Sequence, residues 1–117
     1  MQVKKSTKTL CIVGASGVGK GTIINFLRHK YPDLFSLVLS YTTRKPRPGE
    51  EHGVNYYFVS HYEFNSKIPS MLEYKLVHKN WYGTSQAHLE YLQSLHKIPI
   101  LDVDIEGMLE IKEKINC

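Results

Sequence analysis

The amino-acid sequence predicts an α/β fold, in which a parallel sheet is flanked by helices and a small mixed α+β insert interrupts the chain. The first observation is a short apolar run at residues 9–13, which a glycine-rich stretch and a helical pattern follow directly. The second is a pair of further apolar runs, at residues 36–40 and 98–103, which would complete the sheet. The third is the polar, proline-containing and tyrosine-rich composition of residues 41–84, which predicts a separate insert.

A phosphate-binding loop is predicted at residues 14–20. The sequence there is Gly-Ala-Ser-Gly-Val-Gly-Lys, which fits the pattern of glycine, four residues, glycine and lysine. Backbone N–H groups of such a loop bind an anion readily, helped by the dipole of the helix predicted at residues 22–31. We expect Lys20 to reach the β- and γ-phosphates of a nucleotide. The alternative is a glycine-rich turn that binds no ligand.

One position departs from the phosphate-loop pattern. Lys20 is usually followed by serine or threonine, whose hydroxyl binds Mg²⁺, but here Gly21 follows it and Thr22 comes next. Two alternatives remain open. Mg²⁺ is held mainly by water and nucleotide oxygens, or Thr22 helps indirectly.

The bulk composition is that of an ordinary soluble globular protein, with 117 residues, 42% hydrophobic and 22% charged. A net charge of +4 favours anionic partners such as nucleotides, but charge alone does not indicate nucleic-acid binding, so we expect no nucleic-acid partner. No apolar run approaches the roughly 20 residues that span a bilayer, so we expect no membrane partner. Cys11 lies in the first apolar run and is expected to be buried and reduced, which fits a cytoplasmic location. The histidines show no metal-binding spacing.

Local patterns predict the remaining elements. In chain order they are a strand at 34–40, a basic loop at 42–53, a strand at 54–59, a short helix or turn at 61–68 broken by Pro69, a strand or helix at 71–78, strand and turn at 80–84, an amphipathic helix at 85–96 with Ser85 as its N-cap, a strand at 98–104 and a helix at 106–115.

Two carboxylates mark the end of the predicted strand at 98–104. Asp102 and Asp104 are two residues apart and therefore share a strand face, which is costly unless a cation or hydrogen-bond donors are present. Ligands of parallel sheets bind beyond the carboxyl ends of the strands, and Gly14, Ser40 and Asp104 all lie at such ends. We therefore expect these three regions to converge on one site. The alternative is a pair of solvated carboxylates at an exposed strand end.

Short motifs follow one another in a definite order along nearly the whole chain. They are Gly14 to Lys20; Ser40; Thr42-Thr43-Arg44 with Pro46-Arg47, Gly49 and Glu50; Gly53, Asn55, Tyr56 and Phe58-Val59-Ser60; Leu72-Glu73; Tyr82-Gly83-Thr84; and Leu101-Asp102-Val103-Asp104 with Gly107. In this set and order the chain resembles the guanylate kinases, which transfer the γ-phosphoryl group of ATP to GMP. The resemblance implies a P-loop NTPase-type parallel sheet flanked by helices, with a small mixed α+β GMP-binding insert.

The resemblance also implies the roles of individual residues. The catalytic residues would be Lys20, Arg44 and Arg47. The ATP-binding residues would be Gly14, Ala15, Ser16, Gly17, Val18, Gly19, Lys20, Gly21 and Thr22. The GMP-binding residues would be Ser40, Arg44, Arg47, Tyr56, Glu73, Tyr82, Thr84, Asp102 and Asp104. Asp104 would hold Mg²⁺, directly or through water.

Elementary chemistry fits these implied roles. Two guanidinium groups suit a phosphate because their planar N–H donors match its oxygens, and the hydroxyls of Tyr56 and Tyr82 would help. Guanine offers an N1–H and an exocyclic amine, from which Glu73 would accept, while Ser40 and Thr84 would reach O6 and N7. Adenine has no 2-amino group and an acceptor at N1, so it would not satisfy Glu73.

The chain departs from the family in several places. Asn55 stands where Asp is usual, Glu106 where Gln is usual, and the stretch from Tyr56 to Glu73 is shorter than expected. Members of the family continue beyond the last carboxylates with a lid that carries further arginines, another core strand and an adenine-contacting segment. We therefore predict an N-terminal core at 1–39, a GMP-binding insert at 40–84 and a return to an incomplete core at 85–117, without the lid arginines.

The predicted function is that of a guanylate kinase, a nucleoside monophosphate kinase of purine nucleotide metabolism that acts on GMP or dGMP with ATP and Mg²⁺. We expect a cytoplasmic monomer or weak homodimer. One alternative is a non-catalytic guanylate-kinase-like domain that binds phosphorylated proteins, which the intact phosphate loop disfavours. Another is a related kinase with a different phosphorylated acceptor.

Overall fold

The structure is a computed structural model that describes residues 9–14 and 19–115. The chain divides into two compact units, which are described separately. Unit 1 comprises Met1–Leu37 and Tyr91–Cys117, and unit 2 comprises Val38–Glu90. The elements are β1 (Leu10–Val13), α1 (Lys20–Lys30), β2 (Phe35–Leu37), β3 (Ser40–Thr42), β4 (Tyr57–Phe58), α2 (His61–Lys67), a 3₁₀ turn (Ile68–Ser70), β5 (Met71–Val77), β6 (Asn80–Ser85), α3 (Gln86–Ser94), β7 (Ile98–Val103) and α4 (Ile105–Ile111).

Unit 1 is built on a parallel sheet with the strand order β1-β7-β2. The central strand β7 is an apolar run whose residues Ile100, Leu101 and Val103 are buried. Helix α1 contributes the buried Ile24 and helix α4 the buried Ile111. A strand that is covered on both faces is expected to be apolar throughout, as β7 is up to Asp102. The predicted α/β fold with a parallel sheet is thus confirmed.

Unit 2 has a sheet of its own with the strand order β4-β3-β6-β5. Strands β3 and β4 are parallel, whereas β6 runs antiparallel to both β3 and β5. Helix α2 packs its buried Phe64 against the rings of Tyr74 and Trp81, at centroid distances of 6.5 and 6.0 Å. These aromatic contacts form a core because alternate residues of β5 and β6 point to the same face.

A β-bulge interrupts the pairing of β5 with β6. The paired residues on either side of it are Met71 with Ser85 and Tyr74 with Gly83. Two residues of β5, Leu72 and Glu73, therefore lie opposite one residue of β6, Thr84. Leu72 and Glu73 are both buried, as is Met71 on the opposite face, so this end of β5 is covered on both faces.

The strand predicted at 34–40 is two strands, and the prediction that Ser40 ends a strand of the parallel sheet is wrong. Strand β2 ends at Leu37, and Ser40 begins β3 in the sheet of unit 2. The backbone of Leu39 accounts for the break: its N–H donates to His88 Nδ1 at 2.8 Å, and its carbonyl accepts from the Ser85 N–H at 3.2 Å. With both groups bonded inside unit 2, the chain cannot continue the ladder with β7.

Other local predictions met different outcomes. The strand predicted at 54–59 is reduced to β4, because Gly53 has a φ of 81° and a turn follows it. The segment at 71–78, for which a strand and a helix were both open, is a strand. The predicted helix at 85–96 is α3, and the Ser85 hydroxyl accepts from the His88 N–H at 3.0 Å.

Cys11 is half-buried and disulfide-bonded, so the expectation of a buried, reduced thiol is wrong.

No helix in the described ranges 9–14 and 19–115 combines the length and the apolar composition needed to cross a bilayer.

Candidate functional site

The glycine loop connects β1 to α1 in unit 1. Gly14 follows β1 directly, and its N–H donates to the Val103 carbonyl of β7 at 3.2 Å. Gly19 precedes α1 in the left-handed region with a φ of 93°, which favours glycine because a side chain would be strained there. The strand and the helix predicted on either side of the loop are therefore present. Four of the predicted ATP-binding residues, Ala15, Ser16, Gly17 and Val18, lie outside the described residues.

Lys20 is the first residue of α1 and forms an ion pair inside unit 1. Its Nζ lies 2.9 Å from Asp102 Oδ1, and the two side chains are 16% and 42% exposed. Both side chains are partly exposed to solvent, so the ion pair contributes little to stability. Lys20 can therefore exchange Asp102 for another anion. Gly21 and Thr22 are exposed on the same first turn of α1. The ammonium group of Lys20, which the sequence predicts to bind nucleotide phosphates, is therefore paired with the carboxylate of Asp102.

Asp104 caps helix α4. Its Oδ1 accepts from the Gly107 N–H at 2.7 Å, which satisfies a donor of the first turn. Within the described ranges there is no cluster of three or more His, Cys, Asp or Glu residues suited to a metal ion. Mg²⁺ commonly uses one or two carboxylates and takes its other ligands from water and phosphate. Asp102 and Asp104, near the end of β7, fit that modest requirement.

Arg44 forms several hydrogen bonds within unit 2. Its guanidinium donates to Glu50 Oε1 at 2.8 Å and Glu50 Oε2 at 3.1 Å, and also to the Tyr82 hydroxyl at 3.2 Å and the Lys45 carbonyl at 3.0 Å. The guanidinium carbon also lies 5.3 Å from the Tyr56 ring centroid and 5.9 Å from that of Phe58. Four of the five guanidinium N–H groups are therefore engaged before any ligand binds.

The ion pair between Arg44 and Glu50 shifts the pKa values of both groups. Hydrogen bonding to Arg44, and then to the Arg47 N–H at 2.7 Å, lowers the pKa of Glu50 to about 2. The same bonds to Glu50 hold the pKa of Arg44 above its ordinary value. Both side chains are largely shielded, at 11% exposure for Arg44 and 19% for Glu50. The pair thus stays charged at any physiological pH.

The two predicted arginines differ in freedom. Arg47 is exposed, and its guanidinium forms no hydrogen bond or ion pair with any residue in the described part of the chain. The Tyr82 hydroxyl accepts from Arg44, so its own proton remains available to donate. The Tyr56 ring lies against both Arg44 and Tyr82, with ring centroids of the tyrosines 6.0 Å apart. A phosphate oxygen near Tyr82 would therefore meet several donors.

Three of the predicted guanine-binding residues form a row across the sheet of unit 2. Ser40 of β3 pairs with Thr84 of β6, and Tyr74 of β5 pairs with Gly83. Directly paired residues point to the same face, so Ser40 and Thr84 share one, and Glu73, which precedes Tyr74, points to that face as well. Thr42 pairs with Tyr82 two residues along, about 7 Å away. The row therefore lies on the same sheet face as Tyr82, which bonds Arg44. The set formed by Arg44, Arg47, Tyr56 and Tyr82 is called the arginine cluster.

The predicted residues therefore fall into two sets. Unit 1 holds Gly14, Gly19, Lys20, Gly21, Thr22, Asp102 and Asp104, and unit 2 holds Ser40, Arg44, Arg47, Tyr56, Glu73, Tyr82 and Thr84. The expected convergence of Gly14, Ser40 and Asp104 at one sheet edge is corrected, because only the first and last follow strands of the parallel sheet. Glu50 is not among the site residues predicted from the sequence. Its spacing of three residues from Arg47 and six from Arg44 was the available signal.

Comparison with known proteins identifies the family. A model of the family described as guanylate kinase matches residues 6–116. The chain belongs to the guanylate kinase family. Guanylate kinases of Campylobacter jejuni strain RM1221 and Clostridium perfringens strain SM101 are 41% and 42% identical to it, over 91% and 97% of this chain. The guanylate kinase of Sus scrofa is 37% identical over 92% of this chain.

A solved structure supports the same family. The crystal structure of guanylate kinase from Anaplasma phagocytophilum matches with a TM-score of 0.70 and 26% identity, covering 95% of this chain and 56% of that one. The matches cover 53%, 54% and 56% of the three curated relatives. The chain thus spans about half the length of the guanylate kinases it matches.

Proposed function

We propose that this protein is a guanylate kinase that transfers the γ-phosphoryl group of ATP to GMP or dGMP, with Mg²⁺. The single observation that carries the proposal is the arrangement in unit 2, where a fixed guanidinium and a row of guanine-compatible side chains share one sheet face. Membership of the guanylate kinase family supports it. We also propose, from the family, a cytoplasmic role in purine nucleotide metabolism, with 40–84 as the GMP-binding insert.

The phosphate of GMP would bind at the arginine cluster. Arg44 keeps one guanidinium N–H for it, Tyr82 donates its hydroxyl proton, Tyr56 adds a second hydroxyl and Arg47 closes on the phosphate from solvent. Because Glu50 already holds Arg44 in place, binding would cost little side-chain entropy at that residue. Charge neutralisation by the two arginines is a large part of what phosphoryl transfer requires of a protein.

The base of GMP would bind at the row of Ser40, Thr84 and Glu73. The carboxylate of Glu73 would accept from N1–H and the 2-amino group, and the two hydroxyls would reach O6 and N7. Glu73 is only 7% exposed and Thr84 5%, and adenine would set its N1 acceptor, with no 2-amino group beside it, against the acceptor oxygens of Glu73. This would select guanine over adenine.

The phosphates of ATP would bind at the glycine loop, with Lys20 leaving Asp102 for a phosphate oxygen. The exchange is inexpensive because the ion pair is partly exposed. Asp102 and Asp104 would then hold Mg²⁺ together with water and phosphate oxygens, and the ion would neutralise charge as transfer occurs.

Calorimetry on the purified chain tests the proposal. We expect GMP to bind at least about tenfold more tightly than AMP. We expect Lys20→Ala to lower ATP affinity at least about tenfold and to leave GMP affinity unchanged, because Lys20 bonds within unit 1. A coupled assay of ADP formation from ATP and GMP in the intact protein tests transfer itself. Equal binding of AMP and GMP, or binding of a phosphoserine peptide but not GMP, would overturn the proposal.

A further inference from the structure

Strand pairing places Lys75 on the face of unit 2 that carries the proposed GMP site. Lys75 of β5 pairs with Tyr82 of β6, and Tyr82 pairs in turn with Thr42 of β3. Directly paired residues point to the same face, with Cβ atoms about 5 Å apart. Glu73 precedes Lys75 by two residues in β5 and therefore points to this face as well. Lys75 is exposed, and it is the one lysine or arginine in strands β3 to β6, all of whose residues the structure describes.

Tyr82 lies on β6, whose two neighbouring strands each bring a cation toward it. On one side is β3, from which the chain leads to Arg44, and the Arg44 Nε–H donates to the Tyr82 hydroxyl at 3.2 Å. On the other side is β5 with Lys75. The long, flexible lysine side chain can reach an anion that is held at the hydroxyl of a directly paired tyrosine. An anion at the Tyr82 hydroxyl would therefore meet a guanidinium from one side and an ammonium group from the other.

Charge balance favours a further cation at this place. Arg44 and Glu50 form an ion pair with two parallel hydrogen bonds, so the pair carries no net charge. A phosphate monoester carries a charge of about −1.5 to −2 at pH 7. Arg47 supplies one positive charge, which leaves part of the phosphate charge unbalanced. The ammonium group of Lys75 would balance the remainder.

We propose that Lys75 is a further binding residue of the GMP site, whose ammonium group binds the phosphate from the β5 side of Tyr82. The inference rests on the proposed function, which places the phosphate of GMP at the arginine cluster. Glu73 and Lys75 are about 7 Å apart along one strand face. They would then serve the two ends of one nucleotide, with the carboxylate accepting from the base and the ammonium group donating to the phosphate.

Guanosine is the probe that separates phosphate binding from base binding, because it keeps the base and the ribose of GMP but lacks the phosphate. Calorimetry measures GMP affinity, and NMR chemical-shift titration measures the weaker affinity for guanosine. Both are measured for the wild-type chain and for Lys75→Met, Lys75→Arg and Lys67→Met. Circular dichroism verifies that each variant is folded.

Lys67→Met is the matched control, since it removes the same charge from the other side of the sheet. The Lys67 Nζ lies 5.6 Å from the Tyr41 ring centroid. Tyr41 stands between Ser40 and Thr42 in β3, so it points to the face opposite theirs.

We expect Lys75→Met to lower GMP affinity at least about fivefold and to change guanosine affinity by less than about twofold, since one charged contact with the phosphate is lost. The loss should shrink as the salt concentration rises, because interactions between exposed charges are screened. Lys75→Arg keeps the charge and should stay within about threefold of wild type. Lys67→Met should stay within about twofold, because its charge lies on the other face.

The outcomes separate this inference from the proposed function. A Lys75→Met variant with wild-type GMP affinity overturns the inference, and so does an equal loss for GMP and guanosine, which would assign Lys75 to the base or to the fold. A loss that does not depend on salt, or an equal loss in Lys67→Met, overturns it as well. If the wild-type chain binds GMP no more tightly than guanosine, the phosphate site at the arginine cluster is wrong and the proposed function is overturned instead.

Discussion

The two units hold their candidate phosphate-binding cations in different ways. In unit 2, Arg44 donates four hydrogen bonds and lies against two aromatic rings, so its position is set before a ligand arrives. In unit 1, Lys20 forms one partly exposed ion pair, with Asp102, among the residues that the structure describes. A planar guanidinium can be fixed by several partners at once, whereas an ammonium on a flexible chain exchanges partners easily. We therefore expect Arg44 to hold its phosphate in one position and Lys20 to make a mobile contact with a different phosphate.

The units also differ in how completely they cover their apolar side chains. Helices α1 and α4 of unit 1 each leave two large apolar residues exposed, namely Ile23 and Phe26 on α1 and Ile105 and Leu109 on α4. In unit 2, Phe64 at the centre of the aromatic core is 1% exposed, although its neighbour Tyr74 is 44% exposed. The residues that bond Arg44, namely Glu50, Tyr82 and Lys45, all belong to unit 2. We therefore expect the bonds that fix Arg44 to depend on the fold of unit 2, and the following variants test that dependence.

Arg44→Lys has the largest expected effect. Lysine keeps the charge but loses the paired bonds to Glu50 and the contact with the Tyr56 ring, so we expect GMP affinity to fall about a hundredfold by calorimetry. Arg47→Lys is the matched control, because the Arg47 guanidinium is exposed, and there we expect a loss of about tenfold or less. Equal losses in the two variants would contradict the contrast between a fixed and a free arginine.

Glu50→Gln has an intermediate expected effect, on stability. The pKa of Glu50 in the folded protein is lowered to about 2, so its contribution is fully present above the unfolded value near 4.5 and is lost as the pH falls toward 2. We expect the variant to melt about 4 °C below wild type at pH 7 and the two curves to converge between pH 4.5 and 2. Thermal melts monitored by circular dichroism at several pH values measure this. A difference that does not depend on pH would show that the ion pair is not its source.

His88→Asn has the smallest expected effect. Burial lowers the pKa of His88, and its Nδ1 must be unprotonated to accept from the Leu39 N–H. Wild type should therefore lose stability as the pH falls below about 6.5, where the unfolded chain takes up a proton more readily, by no more than about 1 kcal/mol. Asparagine keeps an acceptor near the Nδ1 position without titrating, so urea denaturation of the variant should lack this component. An identical pH dependence in both proteins would exclude His88 as its origin.

The sequence was sufficient for features that depend on local pattern. The strand, glycine loop and helix of unit 1 follow from periodicity and glycine spacing, and the Ser85 cap follows from its position before an amphipathic run. The family could also be predicted, because the motifs from Thr42 to Tyr56 are specific in type and order. The roles of the individual site residues remain predictions that the variants above address.

Features that depend on long-range contacts could not be predicted. Residues 34–40 look like one strand, and only the bonds from Leu39 to Ser85 and His88, more than forty positions away, divide it in two. The bulge at Leu72 and Glu73 is likewise visible only in the pairing of β5 with β6. Asp104 looked like a metal ligand in the sequence, and its capping bond to Gly107 required the start of α4 to be known.

The bonds that join Leu39 to Ser85 and His88 tie the beginning of unit 2 to its end. A segment whose entry and exit are fastened to each other can be replaced by another of different length with little disturbance of the elements before and after it. Under the proposed function, acceptor preference would change with unit 2 while the sequence of unit 1 stays the same. Grafting residues 38–90 into a relative with another acceptor would carry the preference along with the graft.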